Sequence, residues 1–517
     1  MKYDEFRIEI STDASTWTDI SAYVDDGSVI SFSRGIQGNS VVDRTAQPGT
    51  ISFTVLDRTG AFDPINTSAI ISAGTHLRVV QVFEGIERVQ WYGRVRGITP
   101  RQDVLYRNRA QVTGVCKLEE LNRPLLTPLI TTNKTADEVV DEILDDLNIT
   151  LTETQKQYGT MTQTFPSVFD TARSKQNALG EISKAILSEL GYFYLRGSRS
   201  LDDGFAVTVD GRNTREGRSY INIPAGKDQS GFLLKEDGDF LLKEDGGKII
   251  LNQAQQFTGF SEFGTVSLSY GKNIVNECIV TVYPRTYSEV ATVLFSLAST
   301  PGIDAGETLE MTARYADPTQ EAQSITARST ITPVAVTDYT ANAERDGSGA
   351  DMTASLSVTA NFTASEFKYT LINTHSTDTL YITKLQARGE GIFFYGSVNL
   401  IASDSASQSA NGYKPLTINL KYLDDVTTGQ LIANAVVASA KDIFQEVDWF
   451  EINANASSQN LYACMFLDIG DPILIPVLDA SGAAATVKSY INAVSWSGNR
   501  GNWNVRYTCA SQEVTEI

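Results

Sequence analysis

Apolar and polar residues alternate at both ends of this chain, and the pattern turns helical only between them. A period of two places every second side chain on one face of a strand, so each end must build sheets with a buried face. Near the start Phe6, Ile8 and Ile10 alternate, as do Ile51, Phe53 and Val55, and His76-Leu77-Arg78-Val79-Val80-Gln81-Val82 follows. Gln47-Pro48-Gly49, Asp57-Arg58-Thr59-Gly60 and Phe83-Glu84-Gly85 separate these runs with residues suited to reversals. Up to about Leu118 the pattern predicts a compact antiparallel barrel or sandwich. Strand patterns return at Asn276 to Tyr283, Ile392, Leu416/Ile418/Leu420/Tyr422, Ile473 to Val477 and Thr486 to Ile491. A hairpin is expected from Trp496 to Trp503, around Ser497-Gly498-Asn499-Arg500-Gly501.

Between the two blocks, Thr135-Ala136-Asp137-Glu138 reads as a capping box, with Thr135 as the cap and Glu138 reaching back. Ala136, Val139, Val140, Ile143, Leu144 and Leu147 then form one apolar stripe, and six carboxylates between Asp137 and Asp146 form a solvated face. A second helix is expected to start near Ser174, to turn Ala178, Ile182, Ala185, Ile186 and Leu190 inward, and to stop at Gly191. Tyr192-Phe193-Tyr194-Leu195 continues as strand, and a third helix is expected from a cap near Thr428 towards Phe444.

An octapeptide occurs twice, Phe232-Leu233-Leu234-Lys235-Glu236-Asp237-Gly238-Asp239 and Phe240-Leu241-Leu242-Lys243-Glu244-Asp245-Gly246-Gly247, and Lys248-Ile249-Ile250-Leu251 begins a third copy. Each Asp-Gly is a hairpin signal, so the stretch predicts a β-meander packed on a neighbouring domain. From about Glu289 to Glu390 the composition shifts to Thr, Ser and Ala. Alternation in Leu309/Met311/Ala313/Tyr315, Leu356/Val358/Ala360/Phe362 and Phe367/Tyr369/Leu371 predicts a small inserted β-sandwich.

The length of 517 residues exceeds what one core sustains, so three or four domains are expected. The 62 acids against 42 bases give a net charge of −20, which disfavours tight, sequence-reading contact with nucleic acid. The start, Met1 to Phe6, lacks the pattern of a signal peptide, and no apolar run reaches membrane-spanning length. Cys116, Cys278, Cys464 and Cys509 sit singly in strand-like segments, which predicts buried free thiols and folding in a reducing cytoplasm.

Familiar chemistry is missing. The two histidines, His76 in a strand pattern and His375 in a polar stretch, cannot build a multi-histidine metal site. No Gly-x-Ser-x-Gly elbow, P-loop or Gly-x-Gly-x-x-Gly fingerprint is present. Asp25-Asp26-Gly27, Asp202-Asp203 and Asp424-Asp425 lack the ligand spacing of a calcium loop, and turn chemistry explains them better. Trp17, Trp91, Trp449, Trp496 and Trp503 could form sugar-stacking platforms, but their places in alternating segments favour core or interface packing. A pair of carboxylates placed by the fold for glycoside hydrolysis stays open.

The segment Pro48-Gly49-Thr50-Ile51-Ser52-Phe53-Thr54-Val55-Leu56-Asp57-Arg58-Thr59-Gly60-Ala61-Phe62-Asp63-Pro64-Ile65-Asn66 resembles one in tail-tip and baseplate-hub proteins of tailed bacteriophages, where a strand ends in an Asp-x-x-Gly-x-Phe-x-Pro turn. The resemblance continues through Gly74 to Val79, the Trp91-Tyr92-Gly93-Arg94-Val95 strand and the helix from Thr135 to Leu144. Near the C-terminus Leu467-Asp468-Ile469-Gly470-Asp471-Pro472-Ile473-Leu474-Ile475 is similar to that family's Gly-Asp strand start. The octapeptide stretch and the Thr/Ser-rich insertion have no counterpart in it.

Together, patterns and resemblance give a mainly β fold with an α/β connector. Residues 1–120 are expected as a first tube-like antiparallel β-barrel, 121–215 as a small α/β connector domain and 216–256 as the octapeptide meander. Residues 257–288 with 391–517 are expected as a second tube-like barrel, and 289–390 as the inserted sandwich. The resemblance implies a structural hub closing the distal tail tube as a trimer and forming part of the DNA ejection conduit. It implies as partners the chain itself as a homotrimer, a tail tube or distal tail protein, a central spike, fibre or tape-measure protein, and DNA passing through the lumen without sequence-specific binding. No stable membrane insertion is expected, and the implied location is the distal tail of a virion assembled in a bacterial cytoplasm. No catalytic residue, cofactor-binding residue or metal ligand is carried over, and no enzyme activity is expected. A host-surface carbohydrate-binding or fibre-attachment protein, and a cell-wall hydrolase using two acids, are the alternatives.

Overall fold

In the computed structural model, strands from the two ends of the chain hydrogen-bond to each other in one 12-stranded antiparallel sheet. The structure describes residues 6–510 apart from 58–59, 64, 67–68, 84, 103–107, 126–129, 170–176, 199–200, 219–263, 317–324, 395, 479–483 and 500. The octapeptide stretch falls outside the described residues.

Seven strands of the sheet come from the first 116 residues and five from beyond residue 264. The seam joins Ile30–Gly35 to Ala484–Asn499, in register from Ala493 opposite Gly35 to Gly498 opposite Ile30. Gly35 is required there, because its φ is +118° and a Cβ would collide with Asn492 O. The mainly β class with small helical parts is found as expected. The two tube-like barrels are not: among the described residues no barrel closes. The physical reason lies in the 16-residue Ala484–Asn499 strand, which is long enough to pair Pro472–Leu478 over one half and Ile30–Gly35 over the other.

Alternating residues of both blocks fill one core. Trp496 stacks on Phe32 at 5.7 Å, and Phe6 lies 4.1 Å from Trp503, so the two hairpin tryptophans pack inside the chain and are buried. Of the core or interface packing expected for them, it is the core that they take. The Asp57 turn has a plain cause. The Asp57 carboxylate accepts from Ala61 N at 2.9 Å and Phe62 N at 3.1 Å, and the Phe62 ring is fully buried.

Helices α1 (Ala136–Asp146) and α2 (Ala178–Glu189) pack beside a small sheet of Lys156–Tyr158, Phe205–Asp210 and Tyr192–Gly197. The Glu138 carboxylate accepts from Thr135 N at 3.0 Å, closing the capping box, and the whole expected stripe from Ala136 to Leu147 is buried. Helix α2 starts at its Asn177 cap, later than expected. The left-handed residue at its end is Leu190, with φ +57°, rather than Gly191. The Leu190 side chain is buried, and Gly191 allows the close approach of Asp210 O.

A separate α/β layer has Glu277–Val282 at its centre, Val398–Ser403 antiparallel on one side and Pro415–Asn419 parallel on the other. Short α3 (Ser405–Asn411) follows one edge, and α4 (Val426–Ala440) covers one face. Helix α4 starts earlier than expected because Asp425 caps it, accepting from Thr428 N at 2.7 Å. Thus Thr265–Tyr270 lies in the large sheet while Glu277–Val282, a few residues on, lies in this layer. Helix α5 (Ser458–Phe466) precedes the Asp468 loop.

The 15-residue Leu380–Phe394 strand pairs with four short strands inside 289–390 and with Arg285–Tyr287 just before it, and Thr308–Arg314, Glu366–Asn373 and Leu356–Phe362 form a three-stranded sheet. Leu294, Ile303, Phe367, Tyr369, Leu371, Leu380 and Ile382 share a core distinct from that of the large sheet.

Candidate functional site: a buried arginine–aspartate junction

The acidic pairs weighed in the sequence serve turns and caps. Asp25 accepts from Gly27 N at 3.2 Å, Asp203 from Thr154 Oγ1 at 2.8 Å, and Asp424 from Tyr287 Oη at 3.1 Å. His76 lies in the large sheet, and His375 lies in the loop that follows the Glu366–Asn373 strand. His76 Nδ1 lies 3.1 Å from Tyr92 Oη, and burial, aided by Arg94 and Lys117, pushes its pKa down. His375 Nδ1 accepts from Asp378 N at 3.1 Å. Among the described residues no group of three or more His, Cys, Asp or Glu side chains could hold a metal ion. The four cysteines are free and buried.

Ionic groups instead converge where the first block, the connector and the last block meet. The loop after α5 carries Asp468 and Asp471, Ile30–Gly35 carries Arg34, Ile86–Gln102 carries Arg88, and Tyr192–Gly197 carries Arg196. Arg34 Nη1 donates to Asp468 Oδ1, and Arg88 Nη2 donates to Asp468 Oδ2 at 2.6 Å. Gly197 N adds a third donor at 2.9 Å. Arg34 also binds Gln90 O at 2.8 Å and Leu195 O at 3.1 Å, and Arg88 binds Phe466 O at 3.1 Å. Arg196 Nη2 reaches Asp471 Oδ1 at 2.7 Å, while Asp471 Oδ2 accepts from Asp468 N at 2.8 Å. Gly470, at φ +85°, shapes this loop, and a Cβ on it would strike Tyr194 Oη.

A neighbouring group extends the junction into the connector. Tyr194 Oη donates to Asp210, and Arg218 donates to Asp210 Oδ1 at 2.7 Å and to Tyr194 Oη at 2.8 Å. Arg215 stacks 3.5 Å from the Tyr192 ring centre and donates to Asn492 Oδ1 at 2.9 Å, which again ties connector to C-terminal strand.

Burial works against ionisation of Asp468, yet Arg34, Arg88 and Arg196 outweigh it and hold the carboxyl well below the usual range. Asp471 goes the other way: burial pushes its pKa up, Arg196 offsets only part, and the charge on Asp468 adds to the rise. Burial also opposes the charge on Arg196, but Asp471 and Asp468 more than restore it. Such a cluster can hold blocks in register, because removing one member leaves an uncompensated buried charge. The cavity beside it, lined by Arg34, Gln90, Tyr92, Arg196 and Phe205, measures about 10 Å³, room for one water.

Sequence reasoning singled out the Asp468 to Asp471 loop but missed the three arginines. One signal was available: Arg34 shares the phase of Ile30 and Phe32 and so points inward.

No family model matches the sequence, and no curated protein matches it either. The solved structures that it matches include two tail proteins and a secretion-system component. The 43 kDa tail protein of prophage MuSo2 from Shewanella oneidensis has a TM-score of 0.43 at 9% identity, covering 99% of this chain and 100% of that one. A tail protein from Neisseria meningitidis has a TM-score of 0.44 at 6% identity, covering 99% of this chain and 98% of that one. An E. coli component of the type VI secretion system, described as structurally similar to T4 bacteriophage tail proteins, has a TM-score of 0.36 at 10% identity, covering 99% and 78%.

Proposed function

We propose that this chain is a structural protein of a phage tail tip or baseplate hub, which closes the distal tail tube as a trimer and lines part of the path for DNA. The observation that carries the reading is the interlock of the two ends of the chain, one sheet pinned by a buried ionic junction. Such a build suits a part that must transmit force without opening. The order of the sequence motifs supports it, and so does the local geometry behind two of them, the Asp57 turn and the Asp468 loop.

Identical copies that meet through one repeated contact can close into a threefold ring, and such a ring can cap a tube. The open sheet ends at Thr265–Tyr270 and at Thr18–Asp19, and paired edges in the assembly would guard both. Residues 289–390 form a peripheral inserted unit in this reading. The net charge of −20 lets acidic walls repel DNA phosphates, so the genome slides without sticking. Particle images of the purified chain test the class: a hollow threefold ring is expected. Specific retention on a host-glycan array by single, ring-free particles would instead favour the carbohydrate-binding alternative.

A further inference from the structure

At the arginine–aspartate junction, buried N–H donors outnumber the groups that accept from them. Asp468 Oδ1 already takes Arg34 Nη1 and Ile469 N, and Oδ2 takes Arg88 Nη2 and Gly197 N. The Asp471 oxygens take Arg196 Nη2 and Asp468 N. Arg34 Nη2 and Arg88 Nε are left over: both are buried, and neither meets an acceptor among the described residues. A Cβ on Gly197 would lie 3.3 Å from the first and 3.5 Å from the second, so both leftover donors flank one glycine. Charge is unbalanced in the same sense. Three arginines face two aspartates, and burial works against the charge on Asp471. Arg88 registers the excess: burial pushes its pKa down, Asp468 pulls it back, and Arg196 and Arg34 push it down again.

The small cavity beside the junction opens on this surplus. Arg34, Trp91 and Cys116 of the first block and Gly197 of the connector are among the residues that line it. Arg34 is 6% exposed and Trp91 1%, and Trp91 Nε1, like Arg34 Nη2, meets no acceptor among the described residues. Both unmet side-chain atoms on the wall are therefore donors. Burial pushes up the pKa of the Cys116 thiol, which keeps its proton and is a third, weak donor. A wall of this kind suits a guest that only accepts, whereas a water must also place two hydrogens of its own. The volume of about 10 Å³ admits one atom-sized guest and has no room for a phosphate, sulfate or carboxylate group. Positive charge buried in excess is stabilised by an anion in contact with it.

We propose that this cavity binds a single halide ion, chloride or bromide, between the Arg34 guanidinium and the Trp91 indole, and that the ion ties the first block to the connector. An ion that binds only the folded chain raises its stability along a saturating curve. The test uses the full chain at fixed ionic strength, with chloride replacing gluconate, an anion too large for the cavity. The thermal midpoint, read by circular dichroism, is expected to rise with chloride and level off. Trp91→Phe keeps an aromatic ring but removes one donor, and half of the rise should then need at least fivefold more chloride. Crystals soaked in bromide are expected to show an anomalous peak within hydrogen-bond distance of Arg34 Nη2 and Trp91 Nε1. A midpoint indifferent to chloride, or one that climbs without levelling, with no bromide in the cavity, overturns the proposal and leaves water as the guest. A saturating rise that Trp91→Phe does not weaken places the ion elsewhere and overturns it too. If Trp91→Phe fails to fold, the bromide peak alone decides: its presence in the cavity upholds the site and its absence refutes it.

Discussion

The large sheet and the inserted sandwich are both antiparallel with apolar cores, yet they are held together by different means. The sheet pairs Ile30 with Gly498 and, among three blocks of the chain, buries Arg34, Arg88, Asp468 and Asp471 beside the half-buried Arg196. The sandwich closes its core between Leu294 and Ala387, and its Asp338–Arg388 pair serves one loop. Remote strands lose more chain entropy on meeting, and charges fix their register; a locally closed unit needs neither. All five tryptophans lie outside 289–390, so tryptophan fluorescence reads the sheet and its surroundings alone.

The sharpest way to break this contrast is Asp468→Ala, which leaves Arg34 and Arg88 buried without their carboxylate. We expect a loss of about 3–5 kcal/mol in the tryptophan-detected unfolding, with hydrogen exchange of the sandwich strands unchanged. Equal loss of protection in both regions would show that they fold as one unit. Gly197→Ala comes next: its Cβ would collide with Val89 O and crowd Arg34 Nη2 at 3.3 Å, for about 1–3 kcal/mol, again in the sheet signal only.

Acid sharpens the comparison further. The folded-state pKa of Asp468 lies below its unfolded value, so the unfolded chain binds more protons as pH falls, and stability present above about pH 4 is lost below it. Asp471 has a raised pKa and contributes the opposite slope, so the net acid loss is smaller than Asp468 alone would give. Stability by tryptophan fluorescence should therefore fall between about pH 4 and pH 2, and Asp471→Asn should steepen that fall. The smallest effect is expected from replacing 289–390 by a short flexible linker: the tryptophan-detected melt should move by less than about 1 kcal/mol. A chain that precipitates or loses its cooperative transition would make the sandwich integral to the sheet.

Much of this was legible in the sequence because periodicity reports burial. The α1 stripe, its capping box, the hairpin of Trp496 and Trp503 and the alternating strands of the sandwich all lie where the pattern puts them. What could not be read were pairings between remote segments. Nothing local says that Ile30–Gly35 meets Ala484–Asn499, nor that Glu277–Val282 leaves the large sheet for its own layer with α4. The ionic junction was half legible. Asp468 and Asp471 stand in a motif, and Arg34 shows its inward phase, but Arg88 and Arg196 gain meaning only from the partners that the fold brings to them.

The role proposed for this chain is that of a ring-forming structural part of a phage tail tip. Native mass measurement of the purified chain, alone and with its tail-tube protein, tests it most directly. The account predicts a trimer, at the least once the tube protein is present. A strict monomer under both conditions would contradict it.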